Sequence, residues 1–403
     1  MFIKKEVINR MGIILNEQQI DATYKADKWW NSSNDQVFEI SGSAGTGKTF
    51  LVKYLIQRFG LELTDVLFVA YMGKAAMALA RNGLPATTIH SAIYNFETVV
   101  VRDDDNKHVL ENGKAKTRMT FMRKNKIRKG IKLIVIDEGS MINQSIAKDL
   151  LSFNVPIIVL GDLNQLPPVF GNSAFLNNPD VVLTQIMRQA EGNPIIYLAQ
   201  CVLNDIPLKH GVYGNSAVIS HNDLTDYILK NSDVVLTSTN KLRYEINNLF
   251  RTRIIRGLRP NEPSCGEKII CRRNNWNRCI MNNIYLMNGM SGIIDDIDRS
   301  SFNGKKVRIR FKPDFTSVAF RNVDVDYKHL FLQNPKDDEC NPFDFIYDKF
   351  EFAYAITTYS SQGSQYPNVV LFNEDIAGSK EFKKKNLYTG ITRASDRITI
   401  VLD

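Results

Sequence analysis

Long apolar runs are missing from this chain of 403 residues. Stretches such as Leu133–Ile136 and Pro156–Leu160 have the length of buried strands, far short of the ~20 residues that span a bilayer. The opening Met-Phe-Ile-Lys-Lys-Glu runs straight into charge and lacks the apolar core of a secretory signal. Both absences predict a soluble, cytoplasmic protein with no membrane partner. Cysteine is scarce, with five residues, no C-x-x-C pair, and no histidine beside the trio Cys265, Cys271 and Cys279. That argues against a zinc site and for reduced structural thiols. Repeats and low-complexity tracts are also absent. With 44% hydrophobic and 23% charged residues the composition is that of a globular fold, not of a disordered or fibrous chain. No further acidic cluster lies beside a basic residue, which disfavours a nuclease.

What the chain has is excess positive charge, +8 in total, and it is clustered. Lys114, Lys116, Arg118, Arg123, Lys124, Lys126, Arg128 and Lys129 follow one another with no acid between them. A second basic stretch holds Arg251, Arg253, Arg256, Arg259, Lys268, Arg272, Arg273 and Arg278. Such runs suit either a polyanion or a solvated surface.

The length predicts about two to three domains. Residues 1–30 have helical character and lead into the strand Val37-Phe-Glu-Ile-Ser. Buried strands then recur at Val66-Leu-Phe-Val-Ala, Leu133-Ile-Val-Ile-Asp and Pro156-Ile-Ile-Val-Leu-Gly-Asp, alternating with helical spacing. A second series begins at Asp233-Val-Val-Leu-Thr and closes with Asn368-Val-Val-Leu-Phe and Ile398-Thr-Ile-Val-Leu. Strands alternating with helices imply parallel sheets covered on both faces. Residues 93–130 break the rhythm as a hairpin-like insertion, and residues 289–333 carry antiparallel strands such as Lys306-Val-Arg-Ile-Arg-Phe.

Gly42-Ser-Ala44-Gly45-Thr46-Gly47-Lys48-Thr49 matches G-x-x-x-x-G-K-[ST] between a strand and a helix, the context the motif requires. Its backbone N–H groups close around phosphate oxygens at the positive end of a helix. Lys48 is expected at the β/γ-phosphates and Thr49 on Mg²⁺. The strand Leu133–Asp137 delivers Asp137 toward the same metal and Glu138 toward the attacking water. Gln165, in Gly161-Asp-Leu-Asn-Gln-Leu-Pro-Pro, is an amide suited to γ-phosphate and water.

These motifs, followed by Leu183-Thr-Gln-Ile-Met-Arg188, resemble motifs II to IV of superfamily 1 helicases, closest to the RecD-like and phage Dda-like group of branch 1B. The order and spacing continue to Leu387-Tyr-Thr-Gly-Ile-Thr-Arg393-Ala, which resembles motif VI. The resemblance implies an α/β fold of two RecA-like parallel-sheet domains, with a small hairpin insertion in the first and a small β-barrel-like insertion in the second. The expected boundaries are 1–92 and 131–190 for the first domain, 93–130 for its inserted wedge, 191–288 and 350–403 for the second, and 289–349 for its insertion. It implies ATP with Mg²⁺, an adenine contact from Gln19 in Leu15-Asn-Glu-Gln-Gln, nucleotide contact from Gly363, and Arg188 and Arg393 as cations at the γ-phosphate. A finger of this kind is worth about 10³–10⁵ in rate.

The implied activity is ATP-driven translocation on single-stranded DNA, 5′-to-3′, with unwinding at a fork. A translocase without processive unwinding and a nucleotide-switched binding module are the alternatives. Expected partners are single-stranded and fork DNA and a single-stranded-DNA-binding or replication protein; a compact phage-type enzyme fits the length. Grip residues should be aromatics and polar groups: Tyr71, Lys74, His90 and Phe96 on the first domain, and Thr237, Asn240, Thr358, Tyr359 and Ser361 on the second. Two departures stand out. Ala70-Tyr71-Met72-Gly73-Lys74 lacks the family's Pro-Thr, and Thr357-Thr-Tyr359-Ser360-Ser361-Gln362-Gly363-Ser-Gln365 lacks its motif V His, Lys and Glu.

Overall fold

A computed structural model describes residues 15–100, 110, 111, 114, 115, 117–168, 173–185, 192–255, 257–259, 261–281, 284–331 and 347–402. The helix Glu17–Ser32 opens with a capping box, in which Asn16 and Gln19 each accept a hydrogen bond from the other's backbone N–H. Six strands then form one parallel sheet, ordered Val181–Leu183, Val37–Gly42, Ile157–Gly161, Leu133–Asp137, Val66–Ala70 and Ala86–Thr88. The central strands are apolar throughout because both faces are covered. Phe38, Ile40, Leu51 and Leu55 pack on one side, and Ile134, Ile136, Ile146 and Leu150 on the other. Registers Ser41↔Gly161, Ile136↔Val159 and Ala70↔Asp137 bring the phosphate loop, the Gly161 turn and the acidic pair to one edge of the sheet.

The second sheet runs Gly211–Tyr213, Ser216–Ser220, Ala394–Leu402, Tyr366–Phe372, Val234–Thr237 and Ala355–Thr357, parallel except for its first pair. The helix Lys380–Ile391 is joined to its long strand Ala394–Leu402 through Thr392 and Arg393.

The first insertion is a two-stranded antiparallel ladder. Tyr94–Val100 pairs with Thr117–Arg123 from Tyr94↔Arg123 to Val100↔Thr117. Its base is fastened to the sheet domain. Tyr94 donates its hydroxyl to Asp149 (2.5 Å), Lys124 donates to the carbonyl of Ser91 (2.8 Å), and Arg123 donates to Ser152 Oγ (2.8 Å). Arg123 and Lys124, counted above among cations for a polyanion, are therefore spent on the protein itself.

The second insertion is larger than 289–349. Its antiparallel sheet is ordered Phe320–Asp326, Lys306–Pro313, Ser291–Asp298, Lys268–Cys271 and Phe350–Phe352. The boundaries implied above, 191–288 and 350–403, put Lys268–Cys271 and Phe350–Phe352 inside the second parallel-sheet domain. They pair instead with each other and with Ser291–Asp298. A parallel bridge between Val325 and Asp348, two residues before Phe350–Phe352, links the two outer strands. Asp326 N–H donates to the carbonyl of Asp348 (2.9 Å) and Asp348 N–H to that of Asp324 (2.8 Å), so the sheet curls into the small barrel-like insertion that the resemblance implies.

Candidate active site at the seam of the two sheets

The strand Val37–Gly42 ends against Leu183, and a Cβ on Gly42 would sit 2.7 Å from Thr46 Oγ1. The chain then turns through Gly45 and Gly47, both with φ near 81°, a left-handed conformation that glycine adopts without strain. The helix Lys48–Arg58 follows at once. Gln19 is fully buried, and its amide donates to the carbonyl of Thr46 (3.2 Å). It therefore braces the back of the phosphate loop. Lys48 Nζ donates to the carbonyls of Gly42 (2.6 Å) and Ser43 (3.2 Å), which holds the ammonium over the loop, and Thr49 stands on the first helical turn.

Asp137 ends its strand, and Glu138 follows in a left-handed turn (φ 54°) with its N–H donated to Asp137 Oδ1 (3.0 Å). Burial raises both carboxyls above the ordinary range. Lys48 opposes this most at Asp137, and Arg393 most at Glu138. Gln165 is buried, and its Oε1 has no hydrogen-bond partner among the described residues. An orphaned buried acceptor of this kind suits a donor brought by substrate or water.

The second sheet reaches across this edge. Arg393 Nη1 lies 3.9 Å from Glu138 Oε1 and donates to the carbonyl of Ser364 (3.3 Å), while Nε donates to the carbonyl of Thr389 (3.2 Å) and Nη2 to Thr392 Oγ1 (3.3 Å). Tyr388, 1% exposed, accepts from the N–H of Ala44 (3.2 Å) and donates to Asp162 Oδ2 (2.6 Å). Leu166 N–H donates to Thr389 Oγ1 (3.0 Å), and Gln362 Nε2 to the carbonyl of Leu166 (2.8 Å). Tyr388, Asp162 and Gln362 were not selected from sequence. Tyr388 and Gln362 stand inside motifs that were read there, but nothing in a sequence tells which side chain of a motif crosses to the other domain.

Thr49 and Asp137 offer one hydroxyl and one carboxylate. No group of three or more His, Cys, Asp or Glu able to hold a metal occurs among the described residues. Mg²⁺ takes one or two protein oxygens beside substrate phosphates and keeps several waters, so these donors fit it.

Arg188 lies outside the described residues. Gly363, expected at the nucleotide, faces Met72 and Ala75 of the first domain; with φ 68° it allows a Cβ-free approach that serves the domain seam. Among the grip candidates, Tyr71 meets His90 edge-on (5.8 Å) and His90 neighbours Tyr94 (5.7 Å), an aromatic trio beside the ends of two strands. Lys74 starts a helix and Phe96 pairs with Phe121 in the hairpin; their side chains lie outside what is described. Tyr359 packs beside Phe382, and Asn240 is exposed. Thr237, Thr358 and Ser361 are a correction: all are fully buried, and their hydroxyls donate to the carbonyls of Thr239, Thr237 and Thr358. Their side chains shape the loops.

Known proteins agree with this arrangement. Residues 29–171 match the family model of an AAA domain, and residues 352–401 that of a UvrD-like helicase C-terminal domain. ATP-dependent DNA helicase Pif1 of Campylobacter jejuni is 26% identical over 91% of this chain and 88% of its own. ATP-dependent DNA helicase dda of Enterobacteria phage T4 is 28% identical over 53% of this chain and 52% of its own. A solved structure of Pif1 helicase from a study of unwinding at forked duplex DNA superposes with a TM-score of 0.51 at 17% identity, covering 96% of this chain and 92% of that one. The matched families, the named relatives, the order of the motifs and the two sheets meeting at one phosphate loop together support a superfamily 1 helicase.

Proposed function

We propose that the chain hydrolyses ATP in the cleft between its two parallel sheets and uses the cycle to move along single-stranded DNA, 5′-to-3′, and to open duplex at a fork. The observation that carries this reading is the split site. Phosphate loop, acidic pair and Gln165 belong to one sheet, while Arg393 and Tyr388 arrive from the other. A site built from two bodies is complete only when they close, so phosphate chemistry and domain motion are one event.

In this reading Lys48 and the loop N–H groups bind the β- and γ-phosphates. Glu138 takes a proton from the attacking water, which Gln165 orients. Arg393 moves from beside Glu138 onto the γ-phosphate. Thr49 and Asp137 would hold Mg²⁺, which would supply positive charge at the phosphate oxygens. Relatives named ATP-dependent DNA helicases support the reading, and none of the described helices is long and apolar enough to cross a membrane. A single-stranded-DNA-binding or replication protein is the partner expected in the host cytoplasm. The test is a fork-unwinding assay with single-stranded tails of each polarity. Unwinding only from the 5′ tail is expected; ATP turnover without strand opening on either fork would leave a translocase, and turnover indifferent to DNA would refute the whole reading.

A further inference from the structure

The second basic stretch is mostly neutralised by the protein. Arg251 pairs with buried Glu267 (2.7 Å), Arg253 with Asp226, Arg259 with Glu262 (2.8 Å) and Arg278 with Asp348 (2.7 Å). Lys268 and Arg273 are fixed by neutral carbonyls, those of Asp233 (2.5 Å) and Tyr347 (2.6 Å), which hold the side chains back on the protein without cancelling their charge. Arg272 differs. Among the described residues its one carboxylate partner is Glu351 (3.1 Å), and Glu351 already holds Arg243. Burial raises the Glu351 carboxyl, but the two guanidiniums outweigh it and keep the group ionised. Two permanent cations on one anion leave one positive charge over. Arg243 is 2% exposed and Arg272 24%, so the surplus emerges on the Arg272 side.

It emerges at a particular place. Arg272 Nη1 donates to Ser360 Oγ (3.2 Å). Ser360 belongs to the segment Thr357–Ser361 at the end of the strand Ala355–Thr357, at the position where the motif V pattern that this segment resembles has lysine. Exposed Asn240, at the end of the neighbouring strand, accepts from Arg243 in the same network. Both lie at the carboxyl ends of parallel strands, the edge where open α/β sheets bind ligands.

We infer that Arg272, reaching in from the β insertion, supplies at Ser360 the cation that motif V of this chain lacks, and that it contacts a backbone phosphate of the bound single strand. This rests on the DNA-translocating reading and adds a residue outside every helicase motif. Guanidinium matches phosphate geometry with two parallel donors, and two of the donor nitrogens are already aimed by Glu351 and Ser360. The β insertion then helps to grip the strand through this one side chain.

The test is oligo-dT binding to the full chain across a salt series. One phosphate contact to a single strand contributes a slope of about −0.7 in log K against log salt. Arg272→Gln should lose that increment, so its deficit relative to the parent shrinks by about 2.6-fold when salt rises fourfold. Arg278→Gln, which breaks a neutralised pair, should keep the parent slope. Arg272→Gln combined with Ser360→Lys should restore it, which a merely structural Arg272 would not do. A parent slope in Arg272→Gln, or no recovery in the double variant, overturns the inference. A parent chain that does not bind oligo-dT would instead remove the DNA reading on which it rests.

Discussion

At the scale of single residues, the site assigns different tasks to groups only a few ångströms apart. Lys48→Ala removes the charge held over the phosphate loop, and both ATP affinity and turnover should fall, as read by nucleotide titration and steady-state kinetics. Glu138→Gln is expected to bind ATP as tightly as the parent while turnover drops about 10²–10⁴-fold, the usual size of a lost general base. Near-parental turnover in that variant would end the assignment of Glu138. Tyr388→Phe tests the crossing contact. It deletes the donor to Asp162 and the acceptor for Ala44 N–H without altering packing volume. A hydrogen bond to a charged group is worth about 1.5–3 kcal/mol, so the seam should loosen. The expected signature is a lower kcat with DNA-bound enzyme and little change in the nucleotide dissociation constant. An unchanged kcat would mean that Tyr388 only fills space.

At the scale of elements, legibility followed burial. The parallel strands were readable because a strand covered on both faces is apolar at every position, and Leu133–Ile136 cannot easily be anything else. The same property hid the edge of the second insertion. Lys268–Cys271 is also apolar and buried at three consecutive positions, and nothing local says that its neighbours run antiparallel. The phosphate loop was legible as a pattern, whereas the buried hydroxyls of Thr237, Thr358 and Ser361 looked like contacts because sequence does not show exposure. The hairpin invites a test at this scale. Val100 and Thr117 face each other as the last described pair of the ladder, so a two-residue Gly-Ser turn can replace what lies between them. DNA-stimulated ATP turnover should persist while fork unwinding falls sharply, because opening each duplex step takes about 1.4 kcal/mol and needs a wedge. Undiminished unwinding would move the wedge to the second insertion. His90 supplies a pH test. Burial lowers its pKa below the ordinary value, so the unfolded chain takes up the proton first. Its penalty is absent above the ordinary histidine range and grows as pH falls through and below it. His90→Asn should flatten that acid-side loss of thermal stability between about pH 7 and 5.

At the scale of the whole molecule, the contacts between the sheets fall into two groups with different duties. One group surrounds the phosphate loop: Tyr388 with Ala44 and Asp162, Thr389 and Gln362 with Leu166, Arg393 beside Glu138. The other lies toward the β insertion, where Gly363 meets Met72 and Ala75, and Met287 and Gly289 approach Gly73 and Met72. Beside the second group a cavity of about 860 Å³ opens between the first sheet domain and the insertion, with Tyr94 and Lys124 on one wall and Tyr285 and Phe315 on the other. A strand held across both bodies would favour the arrangement in which both groups of contacts are made at once. ATP turnover should therefore rise strongly on adding single-stranded DNA, and the DNA concentration for half-maximal stimulation should climb steeply with salt as counterion release predicts. Arg393→Ala separates closure from chemistry. It should retain salt-sensitive DNA binding yet lose turnover by about 10³-fold or more, since only the cation at the γ-phosphate is gone. If Arg393→Ala instead kept DNA-stimulated turnover, the second sheet would contribute grip alone, and the split-site account of how hydrolysis drives motion would fail.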